Sequence, residues 1–142
     1  MRYLGLDVGT KTVGVAISDR TNMIASPIKV IRFKDIANSV AEIVEIILKN
    51  EITDVVIGLP KNMDGTLGFA SKRSEDFSKF LETKVDVKIH FVDERLTSVQ
   101  AENILINRDY SRESRKKIID EVAAVLILES FLNMKGDKNE RK

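Results

Sequence analysis

Val55-Val56-Ile57 restricts the fold more than any other feature of the chain. Three β-branched residues stand together with no polar alternation, and Gly58-Leu59-Pro60 closes the run. That pattern is typical of a strand covered on both faces, so it calls for a sheet with a layer on each side. The flanking segments supply the layers. Residues 2–8 and 12–18 are short apolar runs with Val8-Gly9-Thr10-Lys11 between them, a hairpin pattern. A third strand is expected over 27–33, with Pro27 at its start, where the missing N–H costs least. Asp35 reads as the N-cap of a helix running to 49, with Ile36, Val40, Ile43, Val44, Ile47 and Leu48 at the helical period.

After a loop to about residue 66 the spacing predicts a second helix carrying Phe69, Phe77, Phe80 and Leu81, then a strand over 87–92. Thr97, with Gln100 three residues on, fits a capping box that starts a third helix. Ser111 caps a last helix reaching 134. The order is three strands, helix, strand, helix, strand, helices, which implies an α/β fold with a mixed sheet and helices on both faces. At 142 residues the chain is one domain over 1–135, with a polar, frayed tail over 136–142.

The side-chain inventory narrows the chemistry. With no cysteine, disulfide scaffolds, thiolate metal sites and cysteine nucleophiles are excluded. One histidine and no tryptophan leave catalysis or metal binding to the carboxylates. His90, between Ile89 and Phe91, reads as a structural strand residue. No run approaches the roughly 18–20 apolar residues of a membrane span, and Asp7 interrupts any signal-peptide pattern at the start. A cytoplasmic protein is expected. A net charge of +1 conceals an uneven distribution. Residues 1–34 hold six bases against two acids, and residues 35–60 one base against five acids. Four bases crowd 112–117, which permits a basic face.

Four motifs carry candidate chemistry. In Asp7-x-Gly9-x-x-x-x-Gly14-x-Ala16 a carboxylate ends a strand, a glycine turns the chain, and small residues follow on the next strand. This suits a metal ion or phosphate beside Asp7; the rival reading is a turn whose Asp bonds local N–H groups. Gly58-Leu59-Pro60 lies beyond the carboxyl end of a buried strand, where open α/β sheets tend to bind ligands, and Lys61 and Asn62 could contact phosphate there. Taken alone it is ordinary strand-to-helix punctuation.

Asp93-Glu94-Arg95-Leu96-Thr97-Ser98 sets two acids and an arginine ahead of a helix start. The acids either complement the helix dipole or hold metal while Arg95 grips phosphate bidentately. Asp120 shares a helical face with Lys116, Ala123, Ala124 and Ile127. It is either brought by the small alanines to the strand ends or paired with Lys116. Taken together, Asp7, Asp93, Glu94 and Asp120 form a set able to hold two divalent cations, Mg²⁺ or Mn²⁺ by the hardness of their oxygens.

These four motifs, with Ile119-Asp120-Glu121-Val122-Ala123-Ala124 as the fourth, resemble the signature of the YqgF/RuvX family along nearly the whole chain. That family is described both as Holliday-junction resolvases and as pre-16S rRNA processing nucleases. The resemblance implies a ribonuclease H-like fold: five strands, the first three antiparallel and the other two parallel to the first. It also implies metal-dependent hydrolysis of phosphodiester bonds, with Asp7, Glu94 and Asp120 as metal-binding catalytic acids. Strand alternation points Asp93 and Glu94 in opposite directions, so one of them is expected beside the metal. Lys11, Arg95, Arg112 and Arg115 are the implied phosphate contacts.

Four functions follow as expectations. The first is trimming of the 5′ end of pre-16S rRNA, with ribosomal particles as possible partners. The second is resolution of four-way DNA junctions, which needs a two-fold dimer; Phe131, Leu132 and Met134 are the candidate contact, and a monomer or weak homodimer is expected. Leu6-Asp7-Val8-Gly9-Thr10 also looks like the phosphate loop of the sugar-kinase and actin superfamily, which suggests a nucleotide-binding module. A non-catalytic nucleic-acid-binding factor on the same fold is the fourth.

Overall fold

A computed structural model describes residues 2–22, 24–59, 68–93 and 122–134. The expected capping box at Thr97 and Gln100, the cap at Ser111, the pairing of Asp120 with Lys116 and the tail over 136–142 lie outside the described residues.

The opening hairpin forms as its pattern requires. Strand β1 (Tyr3–Val8) pairs antiparallel with β2 (Thr12–Ser18), and β2 pairs antiparallel with β3 (Ala25–Arg32). β4 (Asp54–Leu59) and β5 (Lys88–Asp93) continue the sheet in parallel on the other side of β1, giving the order β3-β2-β1-β4-β5. Three antiparallel strands followed by two parallel to the first is the arrangement that the family resemblance implied.

Two helices, α1 (Ile36–Lys49) and α2 (Phe69–Glu82), supply the parallel crossovers. Both pack on one face. Val40, Ile43 and Ile47 of α1 and Phe77 and Leu81 of α2 meet Leu4, Leu6, Val8, Val13, Val15, Val55 and Ile57 of the sheet. The helical residues 122–134 cover the other face, where Ala124, Ile127, Leu128 and Leu132 meet Tyr3, Ala16 and Val56. Val55, Val56 and Ile57 are all 0% exposed, as a strand covered on both sides must be.

Local chemistry explains both ends of α1. Asp35 caps α1, its carboxylate accepting from the Ala37 N–H at 3.1 Å. At the other end Ile52 N–H donates to the Ile47 carbonyl across Glu51, whose φ of 56° is left-handed. That is the six-to-one closure usually built on glycine. Leu48 departs from the expected stripe: it is 67% exposed, one position beyond the face that Val40, Ile43 and Ile47 bury.

Pro27 also departs from expectation, since it lies inside β3 rather than at its start. β3 is an edge strand, and the register slips there: Val15 pairs with Lys29 but Ala16 with Pro27, leaving Ile28 as the extra residue. An edge bulge is where a strand tolerates a residue without N–H. Among the described residues no helix is long and apolar enough to cross a membrane.

Candidate active site

Strand alternation sorts the β1 side chains between the two layers. Leu4, Leu6 and Val8 pack toward α1 and α2, so Tyr3, Gly5 and Asp7 belong to the face covered by residues 122–134. Asp7 is half-buried near the carboxyl end of β1. Its partner on β2 is Gly14. On β4, Leu6 pairs with Ile57, so the next step of the register puts Gly58 on the other side. Two glycine motifs that are far apart in sequence therefore meet around one carboxylate. Neither neighbouring strand contributes a side chain beside it, which suits the close approach of an ion or a phosphate.

The helix on this face runs antiparallel to β1. Phe131 stacks near Tyr3 with ring centroids 5.6 Å apart, while Ala124 and Leu128 lie over Gly5. The contact at Gly5 is close: a Cβ there would fall 2.8 Å from Leu128 Cβ and 2.9 Å from the Ala124 carbonyl oxygen. Going from Tyr3 to Gly5 to Asp7 along the strand therefore corresponds to going from 131 toward 122 along the helix.

Lys11 is exposed on the turn after β1. Gly9 N–H donates to the Thr12 carbonyl at 2.8 Å, and Phe33 N–H donates to the Lys11 carbonyl at 3.0 Å, so the turn is pinned to the end of β3. A Cβ at Gly9 would lie 3.1 Å from the Thr12 carbonyl oxygen, which explains the glycine. The same pinning brings up two bases that motif reading passed over. Arg32 pairs with Thr12, and both Arg32 and Lys34 are exposed at this edge of the sheet. Their signal lay in the hairpin register, which sets position 32 opposite position 12.

Asp93 ends β5 opposite Leu59. Ile89 packs into the α1/α2 core while His90 stacks on Phe131 from the other layer, so alternation assigns Asp93 to the α1/α2 face. The structure thus brings Asp7, Lys11 and Asp93 to one edge but sets Asp7 and Asp93 on opposite faces. Glu94, Arg95, Asp120, Lys61, Asn62, Arg112 and Arg115 lie outside the described residues. Among the described residues no three acidic or histidine side chains gather closely enough to hold a metal ion. Phe131 and Leu132, the candidate dimer contacts, are instead packed against the sheet; Met134 is 51% exposed.

The chain is similar to known proteins along its length. The model of the RuvX family, described as Holliday junction resolvase, matches residues 1–134. A Halalkalibacterium halodurans protein named "Putative pre-16S rRNA nuclease" is 47% identical over 136 residues, covering 94% of this chain and 96% of the relative. A Lactobacillus gasseri protein of the same name is 46% identical over 136 residues, covering 93% and 95%. Among solved structures, Thermus thermophilus RuvC in complex with a Holliday junction substrate superposes with a TM-score of 0.61. It shares 14% identity and covers 96% of each chain, a likeness of fold.

Proposed function

The chain belongs to the RuvX family, and from that membership we propose that it is a metal-dependent nuclease that processes the 5′ end of pre-16S rRNA. The observation that carries the reading is Asp7, a carboxylate near the carboxyl end of the central strand with Gly14 beside it and Gly58 next in register. The names of relatives 46–47% identical over almost the full chain support pre-16S rRNA as substrate.

Asp7, Glu94 and Asp120 would hold the divalent cations, which when bound supply Lewis acidity and an activated water for phosphodiester hydrolysis. Two features support the choice of partners for Asp7. The antiparallel helix over Gly5 has residue 122 toward the Asp7 end, and Asp120 precedes it by two positions. The alternation that turns Asp93 toward α1 and α2 favours Glu94 as the acid facing Asp7. Carboxylate oxygens favour Mg²⁺ or Mn²⁺. The residues themselves have simpler tasks. Asp7 and its partners present negative oxygens, the glycines keep the neighbouring strands bare, and Lys11, with Arg95, Arg112 and Arg115, neutralises phosphates.

The test is an end-labelled RNA carrying the 5′ leader of pre-16S rRNA, incubated with Mn²⁺ and either wild type or Asp7→Asn. Wild type should cut, and the variant should be slower by about a hundredfold or more, some ~3 kcal/mol of barrier. Intact RNA with active wild-type controls, or equal cleavage by both proteins, would overturn the reading. The family's own description favours a second one, the cutting of four-way DNA junctions. That activity requires paired symmetric cuts by a two-fold dimer, so a protein that stays monomeric with junction bound would count against it.

A further inference from the structure

At the opposite edge of the sheet, where β1 and β4 begin, the chain's single histidine is built into a contact that the nuclease reading leaves unused. His90 Nε2 lies 2.8 Å from Asp54 Oδ2, and the Asp54 side chain is only 6% exposed. Asp54 Oδ1 accepts from the Thr53 hydroxyl at 2.7 Å. One face of the imidazole is taken by Phe131, with ring centroids 4.6 Å apart, and Phe131 in turn meets Tyr3. Tyr3 stands on β1 and His90 on β5, so the Phe131 ring meets the strands on either side of β4, which carries Asp54.

Two turns upstream the helix rests on Gly5, where no side chain rises between its residues. A glycine floor allows close approach and offers no lengthwise lock at that point, while Ile127, Leu128 and Leu132 pack beside it on Tyr3, Ala16 and Val56. The ring of Phe131, seated between Tyr3 and an imidazole that Asp54 holds, supplies that lock. Asp54 is almost wholly buried, and the imidazole nitrogen facing it at 2.8 Å fixes how the His90 ring presents itself to Phe131.

We propose that His90 and Asp54 are positioning residues: by seating Phe131 they fix residues 122–134 lengthwise on the sheet and thereby set the metal affinity of the centre at the other edge. The proposal rests on the reading that Asp7 and Asp120 share that centre. It matters because catalytic groups must be held within about 0.5 Å of their productive geometry.

Two full-length variants separate the parts of the contact. His90→Phe keeps a ring against Phe131 and removes the nitrogen that faces Asp54 Oδ2. His90→Gln keeps a side-chain N–H for Asp54 and gives up the ring. Amide hydrogen exchange over 122–134, Mn²⁺ affinity by titration calorimetry, and kcat and KM on the RNA are read for each. His90→Phe should speed exchange over 122–134 relative to β1 and weaken Mn²⁺ by about 2–30-fold, the range for coupling carried through a packed element. It should lower kcat while KM stays within about twofold, and His90→Gln should recover part of each loss. Unchanged exchange in both variants overturns the proposal, and so does faster exchange with Mn²⁺ affinity and kcat intact. Wild-type protein that neither binds Mn²⁺ nor cuts RNA would sink the nuclease reading instead, and the metal half of the proposal with it. The exchange arm would then still decide whether His90 holds the helix.

Discussion

Asp7 and Asp93 both stand near the ends of apolar strands, yet strand alternation sets them on opposite faces of the sheet. Asp7 shares its face with the helix at 122–134, whereas Asp93 turns toward α1 and α2. A direct comparison follows: Asp93→Asn should leave cleavage within about threefold of wild type, while Glu94→Gln should lose about a hundredfold, ~3 kcal/mol of transition-state stabilisation. Equal losses in the two variants, measured as kcat/KM on the same RNA, would refute the assignment. Gly5 supports a second prediction at this scale. Alanine in a strand normally gains about 0.5–1 kcal/mol over glycine, but here its Cβ would meet Leu128 Cβ at 2.8 Å and the Ala124 carbonyl oxygen at 2.9 Å. Neither is the end of a flexible side chain, so the helix must move. Gly5→Ala should therefore cost about 1–3 kcal/mol in a urea titration, the usual range for overpacking. The place of Asp7 near a strand end was legible in the sequence because a carboxylate late in an apolar run stands out. The role of Gly58 was not, because it exists only in the register between β1 and β4. The His90–Asp54 bond was equally hidden, joining residues 36 positions apart across two strands.

Among the elements, periodicity and caps predicted well where a single local rule decided the outcome. Asp35 caps α1 as its position before an apolar stripe suggested, and the cap can be weighed. Asp35→Ala removes the acceptor for the Ala37 N–H and should cost ~1 kcal/mol, within the 0.5–2 kcal/mol range for lost N-caps. The same urea titration would show this as a lower midpoint with an unchanged slope, whereas an unchanged midpoint would mean the cap contributes nothing. Where two rules competed, the local one lost. Pro27 suggests a strand start, but the edge position of β3 and the bulge at Ile28 let the strand begin earlier, at Ala25. Leu48 fits the helical period, but α1 has one sheet to cover and Val40, Ile43 and Ile47 already cover it. Such outcomes depend on which neighbours a face meets, and that is settled by packing rather than by spacing.

For the molecule as a whole, the charge map and the sheet polarity make one further prediction. Lys11, Arg32 and Lys34 are exposed at the edge that carries Asp7, brought together by the pairing of Thr12 with Arg32 and by the Phe33 to Lys11 hydrogen bond. Arg20 is equally exposed but stands on the β2–β3 turn at the other edge, where it lines an open cleft with Arg2, Asn50, Glu51 and Thr53. If substrate lies across the Asp7 edge, these bases contribute unequally although their charges are the same. Each phosphate neutralised releases counterions and adds about 0.7–0.9 to the slope of log K against log salt. Lys11→Ala and Arg32→Ala should each reduce the slope by about that amount and weaken binding with little regard to sequence, whereas Arg20→Ala should leave the slope unchanged. Fluorescence anisotropy of a labelled pre-16S leader between about 50 and 200 mM salt spans enough of the range to resolve one contact. Equal reductions from Arg20 and Arg32 would mean that the nucleic acid does not favour the edge bearing the acids. The Asp7-centred reading would then lose its substrate path even if Asp7 proved essential.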